Sequence, residues 1–293
     1  MIRALILMGF TYFFYYLYAS GDNAKYINMK YQYINILGII LFAVLTIVQI
    51  VNMAKGNTEI ECDCGHDHEH EHENDKPWYR RILFYAIFVF PLVTGLCLPI
   101  ATLDSTVVKS KGFSFQSLNT LQKGDQFIKP QYLKPDTSVF FGKDGYLDLM
   151  QQELDEFSKM DPVALNDDNF LMGMETLYNF SGEFMGKTVS YKGFIYHGEK
   201  NELGKNQVFV LRFGVIHCVA DAGVYGMLVQ LPKGQSFKND QWVNVEGKLS
   251  TIYYQPFKSN IPYLKVTKIE NTEKPDEPYT FRGYDNPNVK AKK

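Results

Sequence analysis

Two cysteines and four histidines stand in one short stretch of the chain, at Cys62, Cys64, His66, His68, His70 and His72. Thiolates and neutral imidazoles are ligands for zinc and other divalent transition metals, and the carboxylates between them add negative potential. Aliphatic and aromatic residues are missing from this stretch, so the closed and buried site of a zinc finger is not expected. The pattern predicts a metal-binding loop within the connector 55–81. The alternative is a charged connector whose histidines are incidental.

A second candidate metal site lies at the end of a predicted strand and comprises His217, Cys218 and Asp221. Neighbouring side chains in a strand point to opposite faces, so His217 and Cys218 reach one metal only if the strand bulges or ends there. The alternative is that Cys218 is a buried apolar residue, His217 a hydrogen-bonded histidine and Asp221 a turn residue. His197 precedes Gly198 and is expected to shape a turn more than to join a metal site.

Three long apolar stretches dominate the first third of the chain, at residues 1–19, 34–53 and 82–103. A helix needs about 20 mostly apolar residues to cross a bilayer, so we expect about three membrane spans. The aromatic run at residues 10–18 favours a retained anchor over a cleaved secretory signal, because aromatic residues are enriched where a span meets the membrane surface. Pro91 and Pro99 remove backbone donors from the third stretch, which favours packing against a partner.

Basic residues near these stretches predict the orientation, because lysine and arginine are retained on the cytoplasmic side. Arg80 and Arg81 directly precede the third stretch, and Lys55 follows the second. The connector between the first two stretches carries only Lys25 and Lys30. The sequence therefore predicts a multi-pass protein of a bacterial cell membrane, with the Cys/His-rich loop inside and the C-terminal domain outside.

The chain is expected to divide into four parts. Residues 1–103 form the membrane region, 104–185 a stalk and helical segment, 186–275 a mostly β domain, and 276–293 a polar tail. Two amphipathic helices are expected before the β domain, one at residues 146–159 and one beginning near Asn166 or Asp167.

Five segments of the β domain have the composition of strands, at residues 187–196, 207–218, 224–230, 241–249 and 262–269. Their number and short connections predict a five-stranded barrel like the oligonucleotide/oligosaccharide-binding (OB) fold, with Gly193 and Gly247 at bends. The alternative is a small open sandwich.

Charge and motifs argue against two classes of function. The chain has 30 basic and 32 acidic residues, and the β domain shows no basic stripe, so nucleic acid is not an expected partner. The sequence contains no phosphate-binding loop, nucleophile elbow or His-Glu-x-x-His helix. We therefore expect a protein that is not an enzyme.

Several segments carry a resemblance to a known family. Residues 211–226 read LRFGVIHCVADAGVYG, residues 240–247 read DQWVNVEG, and residues 253–258 read YYQPFK. These segments resemble the YcgQ-like family of two-component permease subunits, and the likeness runs nearly end to end. Many members have two adjacent cysteines where this chain has His217 and Cys218, which weakens a dithiol mechanism.

The resemblance implies an accessory subunit that pairs with a separate multi-span permease subunit in the bilayer. With the Cys/His-rich loop, this suggests transport or handling of a divalent metal, with zinc or another divalent transition metal as the candidate ion. The alternative is a membrane-anchored binding or assembly protein on the outer side, with no role in transport.

Overall fold

The computed structural model describes residues 1–55, 78–98, 102–110, 143–198, 203–255 and 259–282. The chain forms two compact units, Met1–Ala101 and Thr102–Lys293. The first unit is helical, and the second is mostly β-sheet with helices packed on it.

The described part of the first unit contains three α-helices, α1 (Ile2–Ser20), α2 (Gln32–Ala54) and α3 (Trp78–Cys97). A short 3-10 turn leads into α2 and extends the helical run to Met29–Ala54. This run and α1 are long and apolar enough to cross a membrane, whereas the apolar part of α3, Ile82–Cys97, is shorter. Two of the three predicted spans are thus supported by helix length, and the third stays a prediction.

Glycines allow α1 and α3 to approach closely. A β-carbon on Gly9 of α1 would lie 2.9 Å from Leu92 Cδ1 of α3. A β-carbon on Gly95 of α3 would lie 2.6 Å from the Phe13 ring of α1. Small residues at helix contacts are typical of helices that associate inside a membrane, where backbones gain van der Waals contact by close approach.

The outward faces of α2 and α3 are apolar. Leu37 and Ile47 of α2 are 63% and 60% exposed, and Leu83 and Ile87 of α3 are each 64% exposed. Soluble monomers rarely expose contiguous apolar surface of this extent. These faces therefore require lipid or another protein as their surroundings.

The described part of the second unit contains seven strands, β1 (Val163–Leu165), β2 (Thr188–Tyr196), β3 (Gln207–Val215), β4 (Gly223–Gln230), β5 (Trp242–Tyr254), β6 (Ser259–Asn271) and β7 (Tyr279–Phe281). Its α-helices are α4 (Ser105–Ser110), α5 (Lys143–Phe157) and α6 (Phe170–Asn179). The strand order is β1-β2-β5-β6-β4-β3-β7, and a further pairing of β2 with β3 closes five strands into a ring.

The ring contains the predicted number of strands, but it is not a complete barrel. β4 and β6 join in parallel through three residue pairs that begin at Leu228 with Tyr263. β2 and β3 also join through three pairs, which begin at Phe194 with Leu211. These short joints supply few backbone hydrogen bonds, so the ring closes only in part, and the OB-like assignment stays a prediction.

Two glycines lie where strands of the ring come close together. A β-carbon on Gly193 would lie 2.7 Å from the Leu211 carbonyl oxygen, and one on Gly247 would lie 2.3 Å from the Lys265 carbonyl oxygen. The register between β5 and β6 also shifts at Gly247. The bend expected at Gly247 coincides with this irregularity, whereas at Gly193 the structure shows a close approach of the backbones and the bend stays a prediction.

Both ends of the second unit are more ordered and more closely packed than the sequence analysis predicts. Thr280 of β7 is fully buried, and β7 pairs with β3, so this part of the expected polar tail belongs to the sheet. Val108 of α4 is buried where a stalk was expected, and Ser105 Oγ donates a hydrogen bond of 2.5 Å to Asp240. Both segments are short, so neither shows enough periodicity in the sequence to indicate packing.

Candidate functional site

The predicted metal ligands fall into two groups. Those of the Cys/His-rich loop, at residues 62–72, lie outside the described residues. In the second group, β3 ends at Val215, and His217 and Cys218 follow the strand as half-buried residues, His217 in a bend and Cys218 in an isolated β-bridge. Because the strand ends before them, the alternation of side chains along a strand does not prevent His217 and Cys218 from reaching one metal ion. Asp221 ends the 3-10 turn Val219–Asp221.

Among the residues that the structure describes, no group of three or more His, Cys, Asp or Glu side chains could hold a metal ion. Both metal sites therefore stay predictions. His197 contacts a neighbouring loop instead, since its Nε2 lies 2.8 Å from the Phe237 carbonyl oxygen. Its backbone N–H also donates to Asn239 Oδ1 at 2.9 Å, so His197 ties the end of β2 to that loop.

A polar pocket of about 320 Å³ opens on β2, β5 and β6. Successive side chains of a strand alternate between faces, so the polar lining residues stand at every second position of these strands. They are Ser190, Lys192, Asn244, Glu246, Lys268 and Glu270, and Tyr191 and Val245 also line the pocket from the positions between them. The register sets the polar residues in two rows, with Glu246 between Ser190 and Lys268, and Asn244 between Lys192 and Glu270.

The pocket is also lined by Arg212 of β3, whose side chain is 1% exposed. Its Nη1 donates a hydrogen bond to Asp167, a residue of the turn between β1 and α6. The guanidinium carbon lies 5.6 Å from the centre of the Phe170 ring and 5.7 Å from that of Trp242. Such ring faces attract a cation, which partly offsets its loss of hydration.

The guanidinium of Arg212 is incompletely satisfied. Its Nε and Nη2 atoms are buried and have no hydrogen-bond partner among the described residues. Burial lowers the pKa of Arg212, and the bond to Asp167 acts in the opposite direction. A buried cation with unused donors in a polar pocket is suited to recognising an anionic group.

A second buried charge cluster joins α5, α6 and the residue after β7. Arg282 Nη2 donates to Glu153 at 2.6 Å, and Arg282 Nη1 donates to Glu175. Tyr146 also donates its hydroxyl to Glu175 at 2.7 Å. Glu175 is fully buried and Glu153 nearly so. One cation thus stands between two carboxylates that have little access to water.

The pKa of Glu153 is raised to about 7, mainly by burial, and repulsion from Glu175 and Glu156 acts in the same direction. Arg282 opposes this effect, because its positive charge favours the ionised carboxylate. The cluster can therefore take up one proton near neutral pH, which is unusual for a glutamate.

Neither the Arg212 cluster nor the Arg282 cluster was predicted from the sequence, although each leaves a signal there. Arg212 is the one charged residue of β3, where a strand that is otherwise apolar or neutral implies burial and therefore a partner. Glu175 stands on the apolar side of α6, four residues after Leu171. Their partners give no local signal, because Asp167 lies 45 residues from Arg212 and Arg282 lies 129 residues from Glu153.

Comparison with known proteins covers nearly the whole chain. The family described as "DUF1980 N-terminal domain" matches residues 2–114, and "DUF1980 C-terminal domain" matches residues 140–282. The chain is 51% identical over 290 residues to the UPF0703 protein YcgQ of Bacillus subtilis, which covers 97% of this chain and 100% of that protein.

A protein of Streptococcus mutans serotype c is 35% identical over 286 residues, which covers 96% of this chain and 99% of that protein. It bears the name "Putative two-component membrane permease complex subunit". The resemblance seen in the sequence is thereby confirmed over the full length of these relatives. The chain belongs to the YcgQ family of proteins with paired DUF1980 N-terminal and C-terminal domains.

Proposed function

We propose that this protein is the accessory subunit of a two-component membrane permease and acts beside a separate multi-span subunit. The observation that carries the proposal is the full-length similarity to the Streptococcus mutans protein, whose name describes such a subunit. The helical unit supports it, because α1 and α2 have the length and apolar surface of membrane spans. A role in binding or transport, not catalysis, follows from this assignment.

The proposal includes three spans, formed by α1, α2 and α3, with the β unit on the outer side of the cell membrane. The third span is supported by its glycine contact with α1 at Gly95 and by the exposed apolar residues of α3. Orientation rests on Arg80 and Arg81 directly before the apolar part of α3, which favour an inner position for that end.

The proposal also assigns the β unit to the OB-like folds. A five-stranded ring that is partly open is the architecture of that fold, and the short joints at β4–β6 and β2–β3 agree with it. The polar pocket on β2, β5 and β6 gives the unit a surface on which to bind cargo or partner.

Metal handling is an additional part of the proposal and rests on the ligands at residues 62–72 alone. Replacing the two cysteines with serine and the four histidines with asparagine should abolish zinc retention by the purified full chain, measured by elemental analysis. Retention should also weaken as the pH falls through the histidine range, because metal and proton compete for imidazole. Equal zinc content in both proteins would remove metal from the proposal.

Site-specific photo-crosslinking tests the permease role. The outward stripe of α2 includes Leu37, Ile40, Val44 and Ile47, each more than half exposed. A photoreactive amino acid at these positions should give a defined crosslink to one multi-span protein in native membranes. Thr46 is buried within the described structure and provides the matched control position.

The expected result is a crosslink at two or more stripe positions and none at Thr46. The same membrane protein should be identified by mass spectrometry at each of them. Crosslinks to many unrelated proteins, or none at any stripe position, would contradict the role of accessory subunit. The remaining role would then be that of a membrane-anchored binding protein, for which the polar pocket is the supporting feature.

A further inference from the structure

We propose that the Arg212 pocket binds a carboxylate group, carried by a small polar molecule or by an acidic side chain. In this proposal the carboxylate binds the unused Nε–Nη2 edge of Arg212, and Asp167, which is bound to Nη1, turns away as the ligand enters. The inference goes beyond the permease role and does not depend on it, because it rests on the geometry of the pocket.

The unused donors of Arg212 are the first support. A guanidinium carries five N–H donors, and within the described structure only Nη1 of Arg212 has a partner. Nε and Nη2 form one edge of the planar fork, and a carboxylate binds such an edge through two parallel hydrogen bonds. Leaving these donors buried and unsatisfied is unfavourable, so a second acceptor group stabilises the site.

Asp167 has the properties of an exchangeable group. Its side chain is 64% exposed, so solvent screening weakens its attraction to Arg212. The turn itself is held by Asn166, whose Oδ1 accepts from the backbone N–H groups of Asp168 at 3.0 Å and Asn169 at 3.1 Å. Asp167 can therefore turn away from Arg212 without loss of the bonds that fix the turn.

The charges favour displacement over simple addition. Three basic residues of the lining, Arg212, Lys192 and Lys268, face three acidic ones, Asp167, Glu246 and Glu270. An added anion would leave an excess of negative charge, whereas exchange with Asp167 preserves the balance around Arg212.

The same balance favours a carboxylate over a phosphate. Lys268 is already paired with Glu270 at 3.0 Å, so little positive charge remains for a dianion. The pocket of about 320 Å³ falls at the small end of ligand sites, which suits a compact molecule or a single side chain. Ser190 and Asn244 offer neutral hydrogen-bonding groups to the remainder of the ligand.

Trp242 provides a direct readout, because its ring contacts the Arg212 guanidinium. The chain has two tryptophans, so the substitution Trp78→Phe leaves Trp242 as the single reporter in the full chain in detergent. Its fluorescence is measured during titration with sodium acetate, which carries a single carboxylate, and with an end-capped tripeptide that contains one glutamate. Sodium phosphate and sodium chloride serve as comparison salts at equal ionic strength.

We expect a saturable change with at least one carboxylate probe and none with phosphate or chloride. A response to acetate identifies a small molecule as the source of the carboxylate, and a response to the peptide alone identifies a protein side chain. Arg212→Lys keeps the charge but lacks the fork, so binding should weaken by roughly tenfold or more. Asp167→Asn removes the internal competitor and should tighten binding roughly three- to tenfold.

Asp168→Asn is the matched control, since it removes one charge from the same turn and should leave the affinity unchanged. Circular dichroism establishes that each variant folds, and if Arg212→Lys does not fold, Asp167→Asn decides the case. The proposal is overturned if neither carboxylate gives a saturable response, or if phosphate gives the same response. It is also overturned if Asp167→Asn and Asp168→Asn change the affinity equally, because the effect would then be one of general charge.

Discussion

Arg282 lies between the buried carboxylates of Glu153 and Glu175 and pairs with both of them. Burial nevertheless favours a proton on Glu153, whose pKa rises from 4.5 to about 7. Between these two values the folded state holds a proton that the unfolded state releases. The contribution of Glu153 to the free energy of unfolding thus falls as the pH rises through this window and levels off above it.

Glu153→Gln should remove this contribution, because glutamine keeps an oxygen acceptor for Arg282 but does not ionise. We expect the variant to lose less stability than the wild type between pH 5 and about 7.5, in denaturant titrations of the full chain followed by Trp242 fluorescence. Asp148→Asn removes an exposed acid from the same helix that does not affect the pKa of Glu153, and it serves as the control. Parallel pH profiles for wild type and Glu153→Gln would show that Glu153 does not hold the proton.

Arg282→Met tests how much the positive charge of the cluster contributes to stability. The substitution leaves Glu153 and Glu175 buried without their positive partner, a change that typically costs about 3–5 kcal/mol. The loss should shrink at acidic pH, where the carboxylates are protonated. A loss below about 1 kcal/mol at neutral pH in the same titrations would mean that Arg282 does not stabilise the fold.

Buried charged residues with distant partners could not be predicted from the sequence. Composition alone indicated the Cys/His-rich stretch, because its cysteines and histidines are neighbours in the chain. Arg212 and Asp167, by contrast, meet only after β1, α6 and β3 have packed together, at a separation of 45 residues. Hydrophobic periodicity identifies which residues are buried, but it does not say which distant charge will accompany a buried one.

At the scale of elements, the five main strands follow closely from the pattern of apolar residues, with boundaries that differ by a few residues. β5 and β6 extend further than predicted, to Tyr254 and from Ser259, because each pairs along its full length with the other. β1 and β7 were not predicted, since three residues are too few to show alternation. The two short joints of the ring could not be predicted either, because register depends on the packed neighbours.

The close approach of β5 and β6 at Gly247 predicts that a larger residue there destabilises the sheet. A β-carbon there would lie 2.3 Å from the Lys265 carbonyl oxygen, so alanine must push β5 and β6 apart at the register shift. We expect Gly247→Ala to destabilise the protein by about 1–3 kcal/mol in denaturant unfolding. Gly182→Ala is the control, because nothing lies within 4 Å of that β-carbon position and a neutral or slightly stabilising effect is expected. Equal stability of the two variants would contradict the close approach.

At the scale of the whole molecule, the proposed orientation can be tested by chemical labelling. Lys55 follows α2, and Lys233 lies in an exposed turn of the β unit. In a background without the native cysteines, Lys233→Cys should react with a membrane-impermeant maleimide in intact cells, whereas Lys55→Cys should react only after permeabilisation. The reverse pattern would place the β unit inside the cell.

The proposed permease role requires a partner subunit, and native mass spectrometry of the complex tests this requirement most directly. The full-length chain, tagged at one end, is extracted from its own membranes in mild detergent, and the mass of the intact assembly is measured. We predict a mass equal to that of this chain plus one multi-span membrane protein in a fixed ratio, with both components recovered on dissociation. An assembly that contains only copies of this chain, under conditions that preserve known membrane complexes from the same extract, would contradict the proposed role.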